Sequence, residues 1–236
     1  MATVEEILDN LKSKAKPDQL EGMARYGISI KQRLGVSVPD MRKIARELGK
    51  DHRIALDLWN TGIDEAKILA AMIDDRNEIT DGQMEDWVRG INSWDVCDQV
   101  CMNLFEKSPL VWRKITDWSE REEEFTKRTA FSLIARLAWH DKTAKDEQFV
   151  EFFPLIIRES NDDRNFVKKA VNWALRNIGK RNINLNKKAI NTAKIIQKID
   201  SKAARWIAAD VIRELESDAV QRRVKNNQLP ACYAIR

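Results

Sequence analysis

The sequence predicts an all-α protein built as a curved solenoid of helical repeats, and composition, periodicity and an internal repeat support this. The chain has 236 residues with only 8 glycines and 5 prolines, whereas 33% of its residues are charged. Sheet-rich folds need many tight turns, so this composition favours helices with solvated outer faces. The length suits one large domain or a repeat array with a continuous core.

Four similar segments carry the internal repeat. Each has a basic residue two or three positions before an alanine, followed by an apolar run. They are Glu65–Ile73, Thr126–Ile134, Val167–Leu175 and Ala203–Ile212. Their alanines, Ala70, Ala130, Ala170 and Ala208, are spaced by 60, 40 and 38 residues. A helical period near 40 residues predicts HEAT-like repeats, in which one helix of each pair lines a concave surface and the small alanine permits close packing.

Partner helices are expected between these segments, joined by short polar breaks. They are Pro39–Leu48, which follows a capping Ser37 or Val38, and Gln83–Gly90, Trp94–Phe105, Gln148–Arg158 and Leu185–Ile199. No linker is long enough to separate independent domains. The sequence therefore predicts a single repeat domain over residues 1–225 and a frayed tail over residues 226–236.

The charge is distributed unevenly along the chain. Residues 1–163 carry 24 Lys and Arg against 32 Asp and Glu, a net −8, whereas residues 164–236 carry 17 against 5, a net +12. Lysines commonly do no more than make helix faces soluble. A C-terminal third of the chain that is basic throughout instead favours binding of a polyanion, and nucleic acid is the first candidate. Within the run Gly179–Lys188, Lys180 and Arg181 are candidate phosphate contacts.

The sequence predicts a cytoplasmic protein that binds neither a membrane nor a metal. The start, MATVEEILDNLKSK, is an acidic amphipathic helix, and no uncharged apolar run reaches about 18 residues, so a cytoplasmic protein without a membrane partner is expected. Cys97, Cys101 and Cys232 suit a reducing compartment. Cys97 and Cys101 lack the short spacing of a zinc site, so we expect core cysteines and no metal.

The stretch SWDVCDQVC, residues 93–101, raises the main functional question. Ser93 is expected to cap the helix, and Asp95 to face the positive end of the helix dipole. At 3.6 residues per turn, one stripe holds Trp94, Asp98, Cys101 and Phe105. An isolated buried charge is costly, so Asp98 must be paired, hydrogen-bonded or exposed in a cleft.

Tryptophan and charge occur together on several predicted faces. The sequence has 8 tryptophans but no Gly-rich phosphate loop, and its two histidines exclude most histidine-based active sites. The candidate inner-face groups are Trp94 with Asp98, Lys127 with Arg128, and Trp173 with Lys168 and Lys169. Their basic residues are candidate contacts to a phosphate backbone. Packing in the core or between repeats is expected of Trp59, Trp87, Trp112, Trp118, Trp139 and Trp206.

Five motifs in order resemble the AlkD-like DNA alkylation repair glycosylases. They are GMARYGIS (22–29), LGVSVPDMRKIA (34–45), SWDVCDQVCMNLF (93–105), FTKRTAFSL (125–133) and FVKKAVNWALRNIGKRN (166–182). The resemblance runs from roughly residue 10 to residue 225. It implies a curved array of HEAT-like repeats that holds duplex DNA in a basic groove and excises cationic alkylpurines, such as 3-methyladenine and 7-methylguanine, without base flipping.

The resemblance also assigns roles to individual residues. Asp98 matches the catalytic carboxylate, and Trp94 matches the aromatic residue beside the deoxyribose of the lesion. Arg128 matches an arginine that contacts the DNA backbone, Trp173 a second aromatic wall, and Tyr26 an aromatic of the N-terminal region. No lysine matches a Schiff-base nucleophile and no cofactor is implied, so a monofunctional enzyme is expected. A monomer is expected because the groove itself needs no second subunit.

Alternatives compete with each assignment. Asp98 can instead pair with Arg128 or cap a helix, and tryptophans such as Trp94 and Trp173 are commonly core residues. For the whole chain, the alternatives are a non-catalytic binder of branched or damaged DNA and a protein scaffold. The basic C-terminal third argues against the scaffold.

Overall fold

The computed structural model describes residues 2–226, and within that range the chain is helical and contains no β-strand. The helices are α1 Val4–Ser13, α2 Leu20–Arg25, α3 Val38–Leu48, α4 His52–Asn60, α5 Asp64–Ile73, α6 Asp81–Arg89, α7 Trp94–Asn103, α8 Val111–Ser119, α9 Glu124–His140, α10 Asp146–Val150, α11 Phe153–Glu159, α12 Asn165–Gly179, α13 Ile183–Ile196, α14 Lys202–Leu215 and α15 Asp218–Asn226. Short 3₁₀ turns cover Pro17–Gln19 and Phe105–Lys107. The all-α prediction is confirmed.

The predicted repeat segments lie within α5, α9, α12 and α14. Their alanines are all buried, as close helix packing requires: Ala70, Ala130, Ala170 and Ala208. The partner helix predicted over Gln148–Arg158 is instead two helices, α10 and α11. Pro154 lies in the first turn of α11, where a proline, which lacks an N–H, is tolerated but cannot continue a preceding helix.

Side-chain caps explain where several helices begin. Thr3 and Glu6 form a reciprocal capping box at α1, and Ser37 accepts the amide of Asp40 at the start of α3. The same kind of cap is made by Asp51, Thr80, Asn182 and Ser201. Each satisfies an N–H that the first turn of a helix leaves without a partner. The predicted cap at Ser37 is therefore confirmed.

The chain divides into two compact units, residues 1–112 and 113–236, of which residues 2–112 and 113–226 are described. The prediction of one domain over residues 1–225 stays a prediction. The predicted tail lies outside the described residues from residue 227 onward, and its first residue, Asn226, ends α15.

In the first unit, α5 is the central helix and packs against α1, α3, α4 and α7. Nine of its ten residues are buried, including the carboxylate of Glu65. The Glu65 carboxylate accepts the amides of Leu34, Gly35 and Val36 at 3.0, 2.8 and 3.3 Å. These bonds offset the cost of burying the charge and fasten the loop before α3 to the core.

In the second unit, α12 is the central helix and packs against α9, α11, α13 and α14. Its last residue, Gly179, lies where three helices meet. A Cβ at this position would overlap Leu215 of α14 and lie 3.0 Å from the Cβ of Ala189 in α13. The missing side chain therefore allows these helices to approach closely.

We expect Gly179→Ala to lower the free energy of unfolding by about 1 to 3 kcal/mol, because the added methyl overfills a packed site. Urea denaturation measures this. The control is Gly82→Ala in α6, where an added Cβ meets no atom within 4 Å and a gain of about 0.4 to 1 kcal/mol is expected. Equal effects of the two substitutions would contradict the close packing at Gly179.

Candidate functional site

Helix α7 carries the predicted catalytic residues at the edge of its buried face. The buried residues of α7 are Val96, Cys97, Val100 and Cys101, whereas Trp94 and Asp98 are half-buried. The expectation that Asp98 lies within the apolar stripe is therefore wrong. At 100° per residue, Trp94 and Asp98 lie beside each other on one flank of that stripe, so the carboxylate keeps partial access to solvent.

Trp94 is held by a bond to the backbone of Tyr26, which brings two of the predicted site residues together. The indole Nε1 of Trp94 donates to the carbonyl oxygen of Tyr26 at 3.0 Å. The Tyr26 side chain is 78% exposed, and the residue follows the last turn of α2. The backbone of Tyr26 therefore positions Trp94, while its ring remains accessible.

Asp95 forms an ion pair that the sequence did not reveal. The Arg33 guanidinium donates to both carboxylate oxygens of Asp95, at 2.6 and 3.1 Å, and to the carbonyl of Ser29 at 3.0 Å. The hydroxyl of Ser93 also donates to Asp95, so its side chain does not cap α7 as expected. Arg33 therefore ties the loop before α3 to the first turn of α7, next to Trp94.

Arg33 also contacts Asp64, a fully buried residue at the start of α5, at 3.3 Å. Burial raises the pKa of Asp64, and the charges of Arg33 and Lys67 act against that rise. Burial likewise lowers the pKa of Lys67, whose ammonium donates to the carbonyl of Gly90 at 2.9 Å. Lys67, the basic residue of this repeat segment, thus makes its contacts within the first unit.

In the second unit, Lys127 is buried and its ammonium lies 2.6 Å from the Glu159 carboxylate. This contact favours a structural role for Lys127 over the expected phosphate contact. Arg128 is also buried, and its guanidinium donates to the carbonyl of Phe166 at 2.9 Å. That bond links α9 to the start of α12.

The remaining basic candidates divide between surface and interior. Lys169 is exposed, and the half-buried Lys168 lies 5.3 Å from the ring centroid of Trp206. Arg181 donates to the carbonyls of Ala138, Asp141 and Ala144 at 2.9, 2.7 and 3.0 Å. These bonds satisfy carbonyl groups at the C-terminal end of α9 and in the loop that follows it. They give Arg181 a structural role, and its expected phosphate contact stays a prediction.

Lys180 and Trp173 both line a cleft in the second unit. Lys180 also forms an ion pair with Glu214, which in addition accepts from Arg176. Trp173 is half-buried, on the central helix α12. These two residues thus remain accessible to a ligand.

Two tryptophans that were expected to pack in the core or between repeats are exposed. Trp139 is 40% and Trp206 42% exposed, so the prediction of core packing is wrong for both. It is confirmed for Trp59, Trp87 and Trp118, which are buried; Trp59 and Trp87 stack with centroids 4.3 Å apart. Cys97 and Cys101 are buried in the core, as predicted. Among residues 2–226, no helix has the length and apolarity to cross a bilayer, and no cluster of three potential metal ligands occurs.

Comparison with solved structures supports the repeat fold. One structure, from a protein family related to the HEAT-like repeat DNA glycosylases with affinity for branched DNA structures, has a TM-score of 0.75 at 17% identity, covering 90% of this chain and 95% of that one. An engineered protein gives 0.43 at 12% identity, covering 92% and 99%, and a designed armadillo repeat protein bound to a (KR)4 peptide gives 0.33 at 13%, covering 96% and 98%. The first likeness confirms the prediction of HEAT-like helical repeats.

Comparison with families identifies the chain's relatives. No curated protein matches the sequence. A family model described as DNA alkylation repair enzyme matches residues 7–215, which include α7 with Trp94 and Asp98 and α12 with Trp173. The resemblance seen in the five motifs is confirmed at this level, and DNA is the macromolecule it implies as partner. The chain belongs to the DNA alkylation repair enzyme family.

Proposed function

We propose that this protein is a monofunctional DNA glycosylase that removes positively charged N-alkylated purines from duplex DNA. The observation that carries this is the position of Asp98, a half-buried carboxylate beside Trp94 on the flank of α7. The neighbouring carboxylate, Asp95, is already committed to Arg33. We assign the chemistry to Asp98 because it keeps partial access to solvent on the flank of α7 that carries Trp94.

An alkylated purine such as 3-methyladenine or 7-methylguanine already carries a positive charge. When the N-glycosidic bond breaks, its electron pair moves to the purine and neutralises the leaving group, so no general acid is needed. Positive charge develops on the sugar. A fixed carboxylate stabilises this oxocarbenium-like centre and can orient the water that attacks C1′, with one proton passing to solvent.

Trp94 contributes through its ring. The bond to the Tyr26 carbonyl fixes the orientation of the indole, and the face of an indole attracts cations within about 6 Å. We assign Trp94 to the sugar and lesion, and DNA contacts to Tyr26, Arg128, Trp173, Lys168, Lys169 and Lys180. Lys127 is omitted because its ammonium is paired with the Glu159 carboxylate, and Arg181 because three backbone carbonyls accept from its guanidinium.

The test is release of modified bases from methylated duplex DNA, resolved by chromatography. We expect 7-methylguanine, 3-methyladenine or both to appear, with an intact abasic site left behind. Borohydride should trap no protein–DNA adduct, because the mechanism uses water and not a lysine as nucleophile. A trapped adduct, or strand cleavage that accompanies base release, would contradict the monofunctional mechanism.

The second candidate function is non-catalytic binding of branched DNA. It is favoured by the solved structure with a TM-score of 0.75, whose family has affinity for branched DNA structures. Absence of base release by the wild-type protein from every alkylated substrate, together with tighter binding to a four-way junction than to linear duplex, would select this function.

A further inference from the structure

The second unit contains a cleft lined by two accessible tryptophans. Trp139, at the end of α9, and Trp173, on α12, line a cleft with a volume of about 340 Å³. Arg136 and His140 line it as well. This volume lies in the lower range of sites for small ligands. An indole that is 40% exposed, like that of Trp139, is a surface to which a flat ligand can bind.

An adjoining cleft of about 280 Å³ also includes Trp139 and adds strong positive charge. The guanidinium of Arg223 lies 4.2 Å from the ring centroid of Trp139. The ammonium of Lys142 donates to the Trp139 carbonyl at 2.5 Å. Among the described residues that line the two clefts, none is an Asp or Glu. We call the two together the Trp139 cleft.

The electrostatics of Lys142 indicate that the Trp139 cleft suits an anion. Burial lowers the pKa of Lys142, and repulsion by the charges of Arg181 and Arg223 lowers it further. Arg181 is bound to backbone carbonyls, whereas Lys142 and Arg223 both line the cleft of about 280 Å³ and carry their charges beside Trp139. A bound phosphate would relieve the repulsion between them.

We propose that the Trp139 cleft binds an unstacked nucleotide of single-stranded DNA. The base would stack against Trp139 and Trp173, and the flanking phosphates would contact Arg223 and Lys142. In a duplex the base faces are already stacked on one another, whereas a single strand offers them to aromatic side chains. This inference rests on DNA as the partner in the proposed function, but not on glycosylase chemistry.

Fluorescence anisotropy with a labelled oligomer of about eight thymidines tests the site, since single-strand binding sites span roughly 4 to 16 nucleotides. We expect Trp139→Leu to weaken binding by about 5-fold or more, because a stacking platform is lost. We expect Arg223→Gln to weaken binding and to reduce its dependence on salt. The charge-matched control is Arg222→Gln, an exposed neighbour that lines neither cleft.

A second probe separates the base from the phosphate. On an abasic oligomer with the same number of phosphates, Trp139→Leu should bind as the wild type does, while Arg223→Gln should still bind less tightly. If Trp139→Leu bound the thymidine oligomer with the affinity of the wild type, the inference would be overturned. The inference would also be overturned if Trp139→Leu weakened binding to a blunt duplex by the same factor as binding to the thymidine oligomer. The same holds if an acidic peptide without phosphate competed for the site as well as an unlabelled thymidine oligomer does.

The two proposals fail separately. Base release from methylated duplex is measured on the same protein preparations. Its absence in the wild type would end the glycosylase proposal and leave the single-strand result standing. Normal base release, together with thymidine-oligomer binding that is unchanged by substitution of Trp139 and Arg223, would end only the single-strand inference.

Discussion

Asp98→Asn is expected to lower the rate of base release by about 100-fold to 1,000-fold, the effect typical of removing a preorganised group that stabilises charge in the transition state. Asparagine keeps the size of the side chain and removes its negative charge. Duplex affinity should change little, because binding to a polyanion gains nothing from a carboxylate. Single-turnover release of 7-methylguanine gives the rate, and anisotropy with the same duplex gives the affinity.

Asp95→Asn is the matched control on the same helix. The Asp95 carboxylate neutralises Arg33, so its loss should lower the melting temperature while the rate per folded molecule stays near that of the wild type. Asp98→Asn should show the reverse pattern, with a low rate at a nearly normal melting temperature. A rate within a few-fold of the wild type for Asp98→Asn would assign this carboxylate to structure and favour the non-catalytic function.

The repeat could be predicted because its signals are local. A buried alanine about one and a half turns into each repeat helix and a basic residue before it recur, in the last three repeats at a spacing near 40 residues, and helix caps such as Ser37 are set by neighbouring residues. The division of one predicted helix into α10 and α11 was also written locally, in Pro154, and was missed because the apolar periodicity continues through it.

The surroundings of the candidate site were not local and could not be predicted. Arg33 and Asp95 are 62 residues apart, and nothing in either segment indicates the other. The burial of Asp98 depends on how much of α7 is covered by its neighbour α5. Counting residues per turn shows which side of α7 carries Asp98, but not where the covered surface ends. Trp139 was assigned to packing because most tryptophans are largely buried, a tendency that says nothing about one at a helix end.

Arg33→Met is expected to lower the free energy of unfolding by about 3 to 5 kcal/mol, the usual cost of removing one partner from a buried ion pair. Methionine fills much of the same space but leaves Asp64 without its nearest cation and Asp95 without its bidentate partner. Arg33→Lys should be intermediate, because an ammonium keeps the charge but not the two-pronged geometry. Urea denaturation of the purified variants measures these values.

A second substitution identifies the origin of the loss. In Arg33→Met/Asp64→Asn the buried charge is removed together with its partner, so the double variant should be more stable than Arg33→Met alone. If the loss came only from packing around residue 33, the second substitution would restore nothing. That result would contradict an electrostatic role for Arg33.

The pH dependence of the Arg33→Met effect follows from the pKa of Asp64. Burial already raises that pKa, and the Arg33 charge opposes the rise, so removing Arg33 must raise it further. A carboxyl group with a raised pKa in the folded state binds a proton there before it does in the unfolded chain, whose value is about 3.9. Acidification therefore stabilises the variant relative to the wild type.

The difference in unfolding free energy between wild type and Arg33→Met should accordingly be smaller at about pH 5 than at about pH 7.5. Asp64→Asn in both backgrounds should reduce this change, because the titrating carboxyl group at that position is removed. A difference that stays constant with pH would show that Asp64 is not the group that Arg33 stabilises. The main task of Arg33 would then be to hold Asp95 and the first turn of α7.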